Sequence, residues 1–271
     1  MSSLVELSVE AALTPAEVEQ ILRICGSRAL LVGGQSLAAW ASYYGVQPPG
    51  ELSQSITVDA DFVGTSQVAR LLQRGLGDSW RLREGTIDAA GGQVAKVFTE
   101  PSPEGIKQID FLSGIVGERL STQKIEARAS VIEYEPGVTV KVLHPLDVLE
   151  SRLCNLAVLS SKRNRIGVAQ AQLAVQVVRA FLLEHLAEGR DPRVVRQAIK
   201  RVERMALDAQ LASVAFEYGI EVLSAIPVEQ IANPRFHDAQ WPRIQERLAK
   251  KRSKYDALRA RKEAAAEKHD L

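Results

Sequence analysis

Cysteine, histidine and aromatic residues are scarce in this chain. Its 271 residues include two cysteines, Cys25 and Cys154, too far apart to match any metal-ligand spacing. Both are expected to be buried free thiols. The four histidines, His144, His185, His237 and His269, contain no His-x-x-x-His pair, which argues against zinc. Charge of one sign is also missing: the formal net charge is +1, which suggests no strong preference for nucleic acid. No apolar run approaches the ~18–20 residues needed to cross a bilayer. The start, Met1-Ser2-Ser3-Leu4-Val5-Glu6, lacks the basic segment and apolar core of a secretory signal. A cytoplasmic location with no membrane partner is the resulting expectation.

What is present is ordinary for a globular protein: 46% hydrophobic and 25% charged residues, enough for one large domain or two smaller ones. The distribution of charge says more than its sum. From Trp241 onward there are ten Lys/Arg against five Asp/Glu, leaving 24 against 28 in the rest of the chain. Lys250-Lys251-Arg252-Ser253-Lys254, with Arg259, Arg261 and Lys262, could track an RNA backbone. Interspersed Glu263 and Glu267 make a solvated charged helix the blander account, and Trp241 and Tyr255 offer little for base stacking.

Local signals predict a mixed α/β region over residues 1–143 and a helical region over 144–271. Thr14-Pro15-Ala16-Glu17 combines an N-cap, a first-turn proline and a capping box, predicting a helix to about Cys25. Residues 28–32 read as a buried strand ended by Gly33-Gly34, and 35–45 as a helix with Leu37, Trp40 and Ala41 on one face. Pro48-Pro49-Gly50 breaks it. After a strand over 56–62 and a short helix over 68–76, strands are predicted at 80–83, 93–98 and 106–112. A hairpin about Glu135-Pro136-Gly137 follows. Beyond His144-Pro145 the apolar spacing is helical, with long helices at 168–187 and 241–267 and shorter ones at 192–205 and 209–218.

Three pieces of the first region carry chemistry. In Ile56-Thr57-Val58-Asp59-Ala60-Asp61-Phe62, alternation puts Ile56, Val58, Ala60 and Phe62 on one side. Asp59 and Asp61 share the other, roughly 6–7 Å apart along the backbone. Carboxylates that close need a shared proton, a basic partner or a metal. Two Mg²⁺ ions about 3.5–4 Å apart would suit them. The second piece, Leu31-Val32-Gly33-Gly34-Gln35-Ser36, runs strand, Gly-Gly turn, helix. Glycines admit a phosphate to the backbone, the helix start supplies N–H groups, and Ser36 adds a hydroxyl donor. The third is Gly105-Ile106-Lys107-Gln108-Ile109-Asp110-Phe111-Leu112, where Lys107, Ile109 and Phe111 share one face and Gln108 and Asp110 the other. Each piece alone has a structural reading: a turn, a hydrated polar face, a strand-edge charge.

In this order the three pieces resemble the nucleotidyltransferase superfamily, the polymerase-β-like fold. Its pattern is strand, Gly-Gly or Gly-Ser, helix, Asp-x-Asp on a strand, then a later Asp on another strand. The match covers about the first 112 residues. The interval from Gly34 to Asp59 is longer than in minimal members and is closer to the AbiEii-like abortive-infection toxin branch. His144-Pro145-Leu146-Asp147-Val148-Leu149-Glu150-Ser151-Arg152-Leu153 looks like that branch's following segment, with Arg152 where a Lys is usual, and the basic cluster Lys162-Arg163-Asn164-Arg165 comes after it. The branch's Lys-Asp-x-x-Asp-Leu is not intact: Gln170-Ala171-Gln172-Leu173 stands there without acids.

The resemblance implies an α+β fold, a mixed-sheet catalytic domain followed by a helical domain with a basic last helix. It implies Mg²⁺ (two ions, with Mn²⁺ as a substitute) on Asp59, Asp61 and Asp110. NTP phosphates would lie on Gly33, Gly34, Ser36, Arg152 and Lys162. The implied reaction moves an NMP group to a hydroxyl of RNA such as tRNA, or of protein, in a toxin-like enzyme with a possible cognate antitoxin. A small-molecule nucleotidyltransferase and a non-catalytic nucleotide or partner binder are the alternatives. A Rossmann dinucleotide site is disfavoured, because Gly33-Gly34 lacks the Gly-x-Gly-x-x-Gly order.

Overall fold

The computed structural model describes residues 10–48, 60–85, 92–189 and 191–267. Residues 56–59, and with them Asp59, lie outside the described residues. The chain forms two compact units, Met1–Ser151 and Arg152–Leu271. The division falls inside a helix, α5 (Pro145–Val158), where the sequence reading put it at 143/144.

The first unit is built on a mixed seven-stranded sheet of order β3-β4-β5-β2-β1-β7-β6. The strands are β1 (Leu30–Val32), β2 (Ala60–Val63), β3 (Trp80–Glu84), β4 (Gln93–Thr99), β5 (Gln108–Leu112), β6 (Ser130–Glu135) and β7 (Val138–Val142). β2 pairs parallel with β5, and β1 parallel with β7; the other neighbours are antiparallel. Helices α1 (Pro15–Cys25) and α3 (Ser66–Leu76) pack on each other and against β7, β3 and β4. Helix α2 (Gly33–Tyr43) leaves β1 directly and packs on β1 and β2.

One face of the sheet is a core. Leu31, Phe62, Phe111 and Ala95 follow one another across β1, β2, β5 and β4 in register, and all are buried. The Phe62 and Phe111 rings stack with centroids 5.5 Å apart and planes 20° apart. Each fully buried Phe contributes about 1.5–3 kcal/mol of transfer free energy. The core also holds Cys25, whose thiol is pushed up to about 12 by burial. Cys154 is only half-buried, which corrects the expectation that both thiols are enclosed.

Helix α1 forms as its first residues dictate. Thr14 Oγ1 accepts from the Glu17 N–H at 3.3 Å, and the Glu17 carboxylate accepts from the Thr14 N–H at 2.8 Å. Glu17 also accepts from Lys107 Nζ at 2.9 Å, tying α1 to the residue before β5. Burial would raise the Glu17 carboxyl, but the Thr14 N–H and the Lys107 ammonium outweigh it and hold it below the usual carboxylate range. Helix α4 (Thr122–Arg128) was not foreseen, being only seven residues long and too short for a periodic signal. It delivers Arg128, which clamps the fully buried Asp147 carboxylate through two hydrogen bonds of 2.7 and 3.0 Å.

The second unit is helical: α6 (Arg165–Ala187), α7 (Pro192–Leu207), α8 (Ala209–Glu217) and α9 (Trp241–Glu267), with short 3₁₀ turns and a π-helical turn, Phe236–Gln240, running into α9. Asn164 caps α6 by accepting from the Gly167 N–H at 2.9 Å. Gly167 has to be glycine, because a Cβ there would lie 2.0 Å from the Lys162 carbonyl oxygen. Leu173, Val177 and Phe181 are buried as their spacing predicts, while Ala180 is half-buried. By length and composition α6 could cross a membrane: its most apolar 18-residue window has mean hydropathy 1.5. That corrects the reading of no span-length run, since an average tolerates Gln170, Gln172 and Gln176 where an unbroken run does not. The window is 56% buried, and α6 packs on α7 and on the 3₁₀ turn Val222–Ala225, as a core helix does.

Candidate functional site

The second face of the same sheet carries a charged rung. Register aligns Arg83, Lys96, Asp110, Asp61 and Val32 across β3, β4, β5, β2 and β1 as one rung. Residues in register project to the same face, and neighbouring strands are about 4.8 Å apart. The rung therefore passes from two cations to two carboxylates to an apolar residue. Asp61 and Asp110 are half-buried, while Phe62 and Phe111, one step along each strand, are fully buried.

Asp61 sits against the β1–α2 turn. Gly33 has φ 65°, a conformation that glycine adopts at little cost. A Cβ at Gly33 would lie 2.1 Å from Asp61 Oδ2, so only glycine lets the turn approach the carboxylate this closely. Val32 at the N-cap of α2 has no side-chain oxygen to cap the first-turn N–H groups. Those N–H groups, with the positive end of the helix dipole, meet the Asp61 charge and can receive a further anion.

Ser36 does not take the role expected of it. Its side chain is fully buried, and Oγ donates to the Gly33 carbonyl oxygen at 2.9 Å. In the first turn of a helix this back-bond is the nearest acceptor, so the hydroxyl fastens the turn instead of presenting a donor outward. Of the three residues expected to meet phosphate in this motif, Gly33 and Gly34 remain as candidates.

Asp110 is held from β4. Gln93 Nε2 donates to Asp110 Oδ1 at 2.6 Å, and Lys96 Nζ stands 3.5 Å from the same oxygen. Lys96 Nζ also donates to Gln108 Oε1 at 2.8 Å. The β4–β5 register shifts between Gln93 and Ala95, and this irregularity aims Gln93 along the strand at Asp110. Sequence reasoning missed Lys96, Gln93 and Arg83. The alternation in Gln93-Val94-Ala95-Lys96-Val97 puts Lys96 opposite Ala95 and Val97, but nothing in it names the partner strand.

Arg152 and Lys162 belong to the second unit. The Arg152 side chain is buried and its Nη1 donates to Gln170 Oε1 at 3.0 Å, so the glutamine that stands in the altered acidic motif is its partner. Lys162 ends an exposed 3₁₀ turn, Ser160–Lys162.

The site chemistry suits a hard divalent cation. The anionic donors on the rung are carboxylate oxygens, which favour Mg²⁺ or Mn²⁺ over zinc. Among the described residues no group of three or more His, Cys, Asp or Glu side chains converges; Asp61 and Asp110 are two, and Asp59 lies outside.

No protein-family profile matches the sequence, and no curated protein does. Two solved structures are similar in outline. One is JHP933 from Helicobacter pylori, 11% identical, with 94% of each chain covered and a TM-score of 0.38. The other is an H. pylori protein provisionally named a nucleotidyltransferase, 13% identical, covering 91% of this chain and 99% of that one at a TM-score of 0.37.

Proposed function

We propose that the chain is a metal-dependent nucleotidyltransferase that moves an NMP group from an NTP to an acceptor hydroxyl. The observation that carries this reading is the Gly33 turn packed on Asp61, with Asp110 in register on the adjoining parallel strand. An anion-receiving helix start and two carboxylates thus meet at one point of the sheet.

In this reading Asp61 and Asp110, with Asp59, hold the cations. Bound there, Mg²⁺ or Mn²⁺ would supply positive charge against the phosphates and the ionising acceptor hydroxyl. The Gly33 and Gly34 N–H groups receive phosphate oxygens, which orients the triphosphate along the start of α2. Asp110 accepts the proton of the acceptor hydroxyl. The hydroxyl oxygen bonds to the α-phosphorus as the bond to the β-phosphate oxygen breaks, and pyrophosphate leaves in line. The acceptor class favoured by the resemblance is an RNA such as tRNA, or a protein.

The test is incubation with each α-labelled NTP, Mg²⁺, total RNA and total protein, followed by separation of the labelled product. The expected result is label on one acceptor class with wild type and none with Asp59→Asn or Asp61→Asn. Equal labelling by wild type and these variants would reject the assignment.

A further inference from the structure

We propose that Lys96 is an internal counter-ion to Asp110, paired with the carboxylate until a divalent cation replaces it. The inference rests on the metal-site reading above and adds a residue that the motif pattern does not contain.

The geometry has three parts. Lys96 is the register partner of Asp110 on β4, with Nζ 3.5 Å from Oδ1. Both side chains are largely shielded, at 19% and 15% exposure, so solvent screens the pair less than it would a surface ion pair. Lys96 has a second acceptor, Gln108 Oε1 at 2.8 Å. The ammonium can therefore release Asp110 without losing every partner, which a buried cation could not tolerate.

Like charges in register on adjacent strands repel, and Asp61 faces Asp110 across the β2–β5 pair. Without a metal, Lys96 offsets part of that repulsion and Gln93 fixes the orientation of Oδ1. With a metal, the cation supplies the charge and the Lys96 ammonium opposes its entry. Removing the ammonium should tighten metal binding and weaken the metal-free fold. Most ligand-positioning residues would do the reverse on removal.

The experiment is a Mn²⁺ titration of the full chain by electron paramagnetic resonance, with thermal melts in EDTA and in saturating Mg²⁺. Wild type, Lys96→Met, Lys96→Gln, Lys96→Arg and Asp110→Asn are compared. Lys96→Met is expected to bind Mn²⁺ about three- to tenfold more tightly, the scale of one partly shielded charge. It is expected to melt lower than wild type in EDTA and level with it in Mg²⁺, and Lys96→Arg to retain wild-type affinity. Should Lys96→Met fail to fold, the shorter neutral Lys96→Gln gives the same comparison. Unchanged or weaker Mn²⁺ binding in the neutral variants, with Asp110→Asn clearly weakened, overturns the role of Lys96 alone. Mn²⁺ binding that Asp110→Asn leaves intact, or no binding by wild type, overturns the metal-site reading and this inference with it.

Discussion

Strands β2 and β5 present two faces built from alternate residues of the same few positions. On one, Phe62 and Phe111 stack in full burial; on the other, Asp61 and Asp110 lie in register and incompletely buried. The first face gains free energy from being close-packed. The second holds two like charges side by side, which costs free energy unless a lysine, a helix start or a cation compensates. The sheet keeps such a pair beside a glycine turn, and its hydrophobic face supplies stability that the carboxylate rung does not.

That contrast can be broken from either side. The largest effect on stability is expected from Phe111→Ala, about 3–5 kcal/mol in urea unfolding, because the cavity faces a stacked ring and close-packed β4 residues. Asp61→Asn is expected to change stability by less than about 1 kcal/mol, since relief of repulsion and loss of the α2 dipole contact oppose each other. Its nucleotide transfer is expected to fall about a hundred- to thousandfold in single-turnover assays, the scale of removing one preorganised electrostatic group. Gly33→Ala should touch both faces. A methyl 2.1 Å from Asp61 Oδ2, at a backbone angle that alanine resists, is expected to cost about 1–3 kcal/mol and to abolish NTP binding in calorimetry.

Smaller effects sharpen the boundary of the hydrophobic face. Lys107 shares that face with Ile109 and Phe111, and its ammonium ends it at Glu17 of α1. Glu17→Gln, whose amide oxygen can still accept from the Thr14 N–H, is expected to cost up to about 1 kcal/mol at pH 7 through loss of the Lys107 ion pair. The Glu17 carboxyl is depressed in the folded state, so its contribution is present above the unfolded value and disappears as pH falls through the folded value. Urea midpoints of wild type and variant should therefore converge in acid. The smallest effect concerns Cys25: with its thiol pushed up to about 12, modification by a thiol reagent at pH 8 should follow unfolding, while Cys154 reacts faster.

Much of this was legible locally. Thr14-Pro15-Ala16-Glu17 dictates the start of α1, and the alternation around Asp110 assigns its two faces correctly. The β1-turn-α2 unit was legible because Gly33-Gly34 sits between a buried strand and a helical stripe, although the helix begins at Gly33 itself. Strand pairing was not. Lys96, Asp110 and Asp61 become neighbours only through long-range register, which a single sequence does not encode in any local pattern. Ser36 was misjudged because residue type identifies a donor but not its nearest acceptor. The π-helical turn Phe236–Gln240 escaped notice because it has the composition of an ordinary helix end.

The most direct measurement compares pyrophosphate release by Asp110→Asn and Phe111→Ala, neighbours in sequence that point to opposite faces, each scaled to its folded fraction at low temperature. Asp110→Asn is expected to stay folded and to lose release by at least about a hundredfold, while folded Phe111→Ala keeps most of it. Release by Asp110→Asn equal to wild type, with the loss confined to Phe111→Ala, would contradict the assignment of the polar face as the reacting one.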